Sequence, residues 1–202
     1  MTKLATAEER LRRLIDAKAA WFSLPMWLYA STFVSPGALL EALVLTESSG
    51  NPRAIRYEPH QDRATRKDAA SDPDTADRDD GNTEDDKSYG LTQVMGSNAR
   101  VVLGAPSGTL LNFDRLFEPD LNLHCGCMVL TWELKAVAQE VAAGKVPPGK
   151  NVERALCRYN GGPSGDDPDP QRGGAFRLQA YVDKVGSHAL AVVSDRSSSH
   201  WI

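Results

Sequence analysis

Long apolar runs are missing from this 202-residue chain, and so is any excess of basic charge. No stretch approaches the roughly 20 consecutive apolar residues that a membrane-spanning helix requires, so we predict no insertion into a bilayer. The net charge is −4, and we find neither a basic stripe suited to nucleic acid nor a basic amphipathic face suited to lipid. The sequence therefore predicts a globular domain that binds neither nucleic acid nor membrane.

Cysteine is also scarce, and its three positions are Cys125, Cys127 and Cys157. An odd number of cysteines without a secretory signal indicates reduced thiols, which we expect to be buried as small apolar side chains. A disulfide bond between Cys125 and Cys157 is the alternative. No Cys or His spacing matches a zinc site, and we predict neither a metal nor another cofactor.

The N-terminus lacks the apolar core of a secretory signal peptide. Residues 6–21 predict an amphipathic helix instead, within an N-terminal helical flank that covers residues 1–34. We expect this helix to pack on the domain that follows it, and an arm that binds another protein is the alternative. Without a signal, we expect the chain to be either cytoplasmic at synthesis or exported by other means.

Aliphatic residues other than alanine are absent from residues 58–87. Residues 58–88 contain 11 acidic and 5 basic residues, a balance of −6, which leaves +2 for the rest of the chain. Such a segment cannot bury enough apolar surface to order itself, so we predict a long solvated loop. Calcium binding is the minor alternative, and the segment does not fit the EF-hand pattern, because Ala76 and Arg78 fall at ligand positions when Gly81 takes the glycine position.

Helical periodicity dominates the rest of the chain, and no convincing pair of alternating strands is present. The sequence predicts a mainly α domain over residues 35–193 with the acidic loop at residues 58–88, followed by a flexible tail at residues 194–202. Besides the helices discussed separately, predicted helices cover residues 97–103, 120–143, 151–159 and 175–193, with Asn151 as an N-cap.

Glu47 is predicted to lie at the end of a helix and on its apolar face. Ser35 and Pro36 are typical of a helix start, and Gly50 with Pro52 of a helix end. A carboxyl group among apolar neighbours resists ionisation, so its pKa rises and it can donate a proton to a leaving oxygen near neutral pH. The alternative is a helix-end glutamate that turns into solvent. The residues that share its face are Leu40, Leu43 and Val44.

Four segments in order carry a family resemblance: residues 47–52 (ESSGNP), 88–95 (SYGLTQVM), 118–126 (EPDLNLHCG) and 155–162 (ALCRYNGG). They resemble the soluble lytic transglycosylase family, relatives of goose-type lysozyme that cut the bacterial cell wall. The family pattern reads Glu-Ser, Gly-Leu-Met-Gln, Asn-Ile-x-x-Gly and Ala-Tyr-Asn, and its order is kept over residues 36–186. The resemblance implies a lysozyme-like α-helical domain with a substrate cleft.

The resemblance also implies a reaction that needs a single carboxylate. Glu47 would protonate the bond between N-acetylmuramic acid and N-acetylglucosamine in peptidoglycan, and would then act as the base that yields a 1,6-anhydro-muramyl end. A muramidase that uses water is the first alternative, and it needs a second carboxylate, of which the acidic loop offers many. A non-catalytic wall-binding or virion structural protein is the second.

Further site residues follow from the resemblance, position by position. Substrate binding is implied for Gln93, Met95, Tyr159, Ser48, Gly90 and Asn160, and a structural role in the motif for Asn122 and Gly126. For Ser48 and Asn160 a structural role is the favoured alternative. The chain departs from the family pattern at Thr92, Gly96 and Arg158, where methionine, proline and alanine are usual.

The sequence also suggests how the protein reaches the cell wall and which partners it has. A missing signal fits a phage enzyme that reaches the cell wall at lysis or as part of the particle, with the N-terminal helix as a possible virion contact. Residues 56–60, directly after the first motif, would form either the rim of the cleft or the start of the solvated loop.

Overall fold

The computed structural model of the protein describes residues 6–21, 35–57, 87–105, 111–162, 165–169 and 175–198. Helices dominate these residues, which confirms the predicted mainly α class. The helices are α1 Ala7–Trp21, α2 Pro36–Ser48, α3 Gly96–Val102, a 3₁₀ helix Phe113–Phe117, α4 Pro119–Ala142, α5 Asn151–Gly161 and α6 Gln179–Ser198. The strands are β1 Ile55–Tyr57, β2 Lys87–Tyr89, β3 Val94–Met95, β4 Pro168–Asp169 and β5 Ala175–Phe176.

Parts of the predicted organisation lie outside the described residues. These are residues 1–5 and 22–34 of the N-terminal flank, residues 58–86 of the acidic loop and residues 199–202 of the tail. The remaining residues of that loop prediction, 87 and 88, belong to β2. Helix α6 ends at Ser198, so the predicted helix end near residue 193 was wrong.

Two small antiparallel sheets were not predicted. In the first, the strand order is β1-β2-β3, with Tyr57 opposite Lys87 and Tyr89 opposite Val94. The second pairs β4 with β5. Strands of two or three residues are too short to show alternation in a sequence, which is why the pattern gave no sign of them.

Helix α2 begins and ends where its local signals predict. The Ser35 hydroxyl accepts a hydrogen bond from the Ala38 N–H at 3.1 Å, as an N-cap does. Every residue from Gly37 to Val44 is buried, so α2 is enclosed on all sides and not along one face alone. The predicted amphipathic pattern therefore understated how central this helix is.

Glu41 is a charged residue inside the buried stretch of α2, with 5% of its surface exposed. Arg12 of α1 donates to one of its oxygens at 2.9 Å, and Arg196 of α6 donates to the other at 3.1 and 2.5 Å. Asp195 pairs with Arg12 at 2.7 Å and Asp16 with Arg196 at 2.9 Å. A buried carboxylate is tolerated only when it is paired, and this network ties α1 and α6 to α2.

The chain divides into two compact units, one of Met1–Thr46 with Cys127–Ile202 and one of Glu47–Gly126. The core of the first is aliphatic, built from residues of α2, α4, α5 and α6 such as Leu40, Leu134, Leu156 and Val185. In the second, Tyr89 stacks on Phe113 with ring centroids 5.4 Å apart.

The cysteine prediction is confirmed. Cys125, Cys127 and Cys157 are free and buried, so the alternative of a disulfide bond was wrong. Among the residues that the structure describes, no helix is long and apolar enough to cross a membrane.

Candidate active site

Glu47 is the next-to-last residue of α2, at the point where the chain leaves the helix. Ser49 and Gly50 follow with φ of 53° and 79°, and this left-handed pair ends the helix. The Glu47 side chain is 4% exposed, and one of its carboxylate oxygens lies 4.0 Å from Nη2 of Arg56. Arg56 lies on β1 with half of its side chain exposed, so a nearly buried carboxyl group has a solvent-reachable cation beside it.

A tight turn at residues 90–93 is hydrogen-bonded to the residue after Glu47. The Ser48 hydroxyl donates to the Leu91 carbonyl at 2.8 Å. The Gly90 N–H donates to the Ala54 carbonyl at 2.8 Å, which joins the turn to the segment before β1. Ser48 therefore anchors this turn next to the candidate acid.

Gln93 closes the turn in a left-handed conformation, with φ of 47°, which is uncommon for a residue other than glycine. Its side-chain amide donates to the Ala54 carbonyl at 3.2 Å and to the Gly90 carbonyl at 3.0 Å. Both N–H groups are thus used to hold the turn, and the residue is 7% exposed. The side-chain oxygen is a hydrogen-bond acceptor suited to the substrate contact that the resemblance implies for Gln93.

Asn122 of α4 has no exposed surface and joins the same turn to the 3₁₀ helix. Its amide nitrogen donates to the carbonyls of Tyr89 and Leu116 at 2.7 and 2.9 Å. Its oxygen accepts from the N–H and the hydroxyl of Thr92, both at 2.9 Å. These bonds use the full capacity of the side chain inside the protein.

The two motif glycines are required by packing within the protein. A Cβ atom at Gly90, where φ is 69°, would overlap Nδ2 of Asn122 and lie 2.6 Å from the Leu116 carbonyl oxygen. A Cβ atom at Gly126 would overlap the side chain of Thr92. Gly90 therefore permits the close approach of Asn122. Thr92, at the position where the family usually has methionine, fills the space that Gly126 leaves.

Met95 ends β3 and precedes α3. The Ser88 hydroxyl of β2 donates to its sulfur at 3.2 Å, which fixes the thioether across the sheet. Gly96, found where the family has proline, is buried and is the first residue of α3. The helix therefore begins at Gly96 even though this chain has no proline there.

Tyr159 and Asn160 lie near the C-terminal end of α5, where Tyr159 is half-buried and Asn160 is exposed. They belong to the first compact unit. The structure gathers the other predicted site residues in the second unit, namely Glu47, Ser48, Gly90, Gln93, Met95, Asn122 and Gly126.

Arg158, the residue that the family pattern does not explain, is the centre of a buried ion cluster. It donates to Asp166 through Nε at 2.7 Å and Nη2 at 3.1 Å, and to both oxygens of Glu140 at 3.2 and 2.7 Å. Arg154 adds a bond to Asp166 at 2.9 Å. The cluster joins α4, α5 and the segment before β4, and sequence reasoning missed it because no local pattern links these positions.

The charges of this cluster stabilise one another. Burial alone would raise the pKa of Asp166, but the hydrogen bonds from Arg158 and Arg154 outweigh it and lower that pKa below its usual value. The hydrogen bond from Arg158 likewise lowers the pKa of Glu140. Glu133 differs, because burial raises its pKa more than the nearby Arg158 lowers it.

Within the described ranges, no group of three or more His, Cys, Asp or Glu side chains is arranged to hold a metal ion.

The chain was compared with models of known protein families, with curated proteins and with solved structures. The family model described as "Transglycosylase SLT domain" matches residues 28–181, a range that contains all four motif segments. A search of curated proteins and a search of solved structures each found no match. The chain belongs to the transglycosylase SLT domain family, and its function is of the lytic-transglycosylase type, the cleavage of peptidoglycan.

Proposed function

We propose that the protein is a peptidoglycan lytic transglycosylase that cleaves the β-1,4 bond between N-acetylmuramic acid and N-acetylglucosamine, with Glu47 as general acid and then general base. The observation that carries the proposal is the setting of Glu47 within this family's fold. Its side chain is 4% exposed, and the next residue, Ser48, is hydrogen-bonded to the turn at residues 90–93. A carboxyl group shielded in this way is suited to hold and return a proton.

In the first step, the protonated Glu47 gives its proton to the bridging oxygen, and the bond from the muramyl C1 atom to that oxygen breaks. The oxygen of the substrate's own acetamido group bonds to C1 and stabilises the developing positive charge. In the second step, the Glu47 carboxylate takes the proton of the muramyl 6-hydroxyl group. The 6-oxygen then bonds to C1 and displaces the acetamido oxygen, which leaves a 1,6-anhydro ring and consumes no water.

Arg56 supports the proposal through its charge. Its guanidinium lies 4.0 Å from the Glu47 carboxylate, so it favours the anion that forms once the proton has been given away. Arg56 is also exposed enough to meet substrate, since half of its side chain is accessible. Within this proposal, the turn at residues 90–93 supplies the Gln93 oxygen as a hydrogen-bond acceptor for the glycan.

The test is mass spectrometry of the muropeptides that the protein releases from purified peptidoglycan. We expect 1,6-anhydro-muramyl ends from the wild type and a loss of at least about 100-fold in release with Glu47→Gln, because the acid is removed while its shape is kept. Glu8→Gln is the matched control, since its side chain is 74% exposed on α1, and it should retain wild-type release.

Two outcomes would contradict the proposal. Reducing ends that are heavier by one water would identify a hydrolase and direct the search to a second carboxylate. Release that is unaffected by Glu47→Gln would remove Glu47 from the reaction.

A further inference from the structure

Two polar side chains of α6 contact the residue that precedes Glu47. His188 Nδ1 lies 2.9 Å from the hydroxyl oxygen of Thr46, and Lys184 Nζ donates to the main-chain carbonyl of Thr46 at 3.3 Å. Lys184 and His188 are four residues apart, so they lie on the same face of the helix. Helix α6 therefore makes two hydrogen bonds to one residue in the last turn of α2.

The hydrogen-bond directions follow from the chemistry of the hydroxyl group. Thr46 donates its single hydroxyl hydrogen to the Ala42 carbonyl at 2.8 Å, one turn earlier in α2. It can then only accept from the imidazole, so Nδ1 of His188 carries a hydrogen.

The last turn of a helix is the part that most needs such bonds. Carbonyls there have no following turn to donate to them, and a lysine that reaches them also balances the negative end of the helix dipole. The left-handed Ser49 and Gly50 end the helix immediately after Ser48. Glu47 lies within this turn, so any fraying would displace its carboxyl group.

We propose that His188 and Lys184 are positioning residues, which hold the end of α2 through Thr46 and so fix the carboxyl group of Glu47. The inference rests on the proposed function, in which Glu47 is the acid and base. The two residues act on Thr46 and need not touch substrate. Their removal lowers the rate of the chemical step and leaves substrate affinity in place.

The experiment measures kcat and KM on solubilised, uncross-linked peptidoglycan strands. For His188→Ala we expect kcat to fall on the order of 10-fold, since displacing a reacting group by a fraction of an ångström has effects of this size, with KM within about twofold. His188→Asn places an amide N–H near the position of Nδ1 and should recover most of the lost kcat. Ser187→Ala is the matched control, because the exposed hydroxyl of the neighbouring residue donates only to the Asp183 carbonyl of its own helix.

Thr46→Val removes the other partner of the contact between Thr46 and His188. It replaces His188→Ala in the experiment if that variant does not fold. It keeps the shape of the side chain and removes the acceptor, so it should lower kcat in the same way. Lys184→Met should lower kcat by less, because its bond is longer and exposed.

Glu47→Gln distinguishes a failure of the positioning role from a failure of the proposed function. If it is inactive while His188→Ala and Thr46→Val both keep wild-type kcat, the positioning role is wrong and the proposed function stands. If Glu47→Gln retains activity, the proposed function itself fails. An equal loss of kcat in His188→Ala and His188→Asn would show a general packing effect and overturn the positioning role.

Discussion

Asn122 shows how a motif residue can serve a site without reaching it. Its side chain spans the turn at residues 90–93 and the 3₁₀ helix, and it uses every donor and acceptor that it has. Gln93 behaves similarly with its two N–H groups. At the scale of single residues, the motif is largely a set of hydrogen bonds that hold one turn in a strained conformation.

Asn122→Ala should therefore destabilise the protein. It removes the hydrogen bonds that Asn122 makes to the buried carbonyls of Tyr89 and Leu116 and to the Thr92 N–H, and each such loss costs about 1–3 kcal/mol. We expect the free energy of unfolding to fall by at least about 2 kcal/mol in urea denaturation. Asn51→Ala removes an exposed bond to the Arg53 N–H and should change it far less. Equal effects of the two changes would contradict the structural role of Asn122.

The buried thiols give a second prediction at this scale. Burial raises the pKa of Cys125 to about 11 and that of Cys127 and Cys157 to about 12. At pH 8 the native protein should resist iodoacetamide at all three positions, because the thiolate is the reactive form. In denaturant all three should be alkylated within the same time. Mass spectrometry counts the modified residues, and fast labelling of the native protein would show that a thiol is accessible.

Helices are held together by ion pairs as well as by apolar contacts. Glu41 lies inside α2 with two arginine partners from the first and last described helices. The Arg158 cluster does the same for α4 and α5. Such pairs tie particular elements together, and removing one partner leaves a charge that burial penalises.

Arg196→Met tests the cost of leaving Glu41 with one partner. We expect a loss of about 2 kcal/mol or more in the free energy of unfolding, since a buried carboxylate loses its second cation. Arg115 provides the comparison, because it and Glu118 are both 60% exposed and 3.7 Å apart. Arg115→Met should change stability by at most about 1 kcal/mol. Comparable losses in the two variants would mean that the Glu41 pair contributes no more than a surface pair.

The Arg158 cluster should make stability depend on pH in the acid range. Asp166 has a lowered pKa in the folded protein, so its contribution is present above its unfolded value of 3.8 and is lost as the pH falls through the folded value. The wild type should therefore lose stability below about pH 4, while Asp166→Asn, already less stable at pH 7, should show a shallower decline. Asp183→Asn, an exposed carboxylate, should keep the wild-type slope. Thermal melts between pH 2 and 7 measure the difference, and parallel slopes for Asp166→Asn and the wild type would contradict it.

Local signals in the sequence predicted the helices, but they did not predict the contacts between distant side chains. The ends of α2 followed from Ser35 and Gly50, which act on their immediate neighbours. The predicted cap at Asn151 was wrong, since Lys150 occupies the cap position without a side-chain bond. The bonds of Asn122 to Thr92, and of Arg158 to Glu140, join residues 30 and 18 positions apart. No local pattern carries such information, so the sequence identified the motif residues and left their partners unknown.

For the molecule as a whole, the two compact units divide the site residues unequally. Three of the four motif segments lie in the unit Glu47–Gly126, and the fourth lies on α5 in the other. The division falls between Thr46 and Glu47, inside α2. Thr46 and the earlier residues of this helix therefore belong to the first unit, and Glu47 and Ser48 belong to the second.

The long connection between β1 and β2 permits a test by deletion. Tyr57 and Lys87 are cross-strand partners, so the ends of the connection already lie side by side. Removing residues 62–84 leaves residues 58–61 and 85–86, enough to join two neighbouring strands, and a shorter connection loses less entropy on closure. We expect the melting temperature to stay within a few degrees of the wild type. A large decrease would show that the acidic segment contributes to the fold.

The same paired ends have a use in protein engineering. A folded reporter domain whose own termini lie close together would fit between Tyr57 and Lys87 without separating the two strands. It would then be attached to the strand that carries Arg56, next to the Glu47 carboxyl group. A fluorescent domain inserted there would report on events at the candidate site.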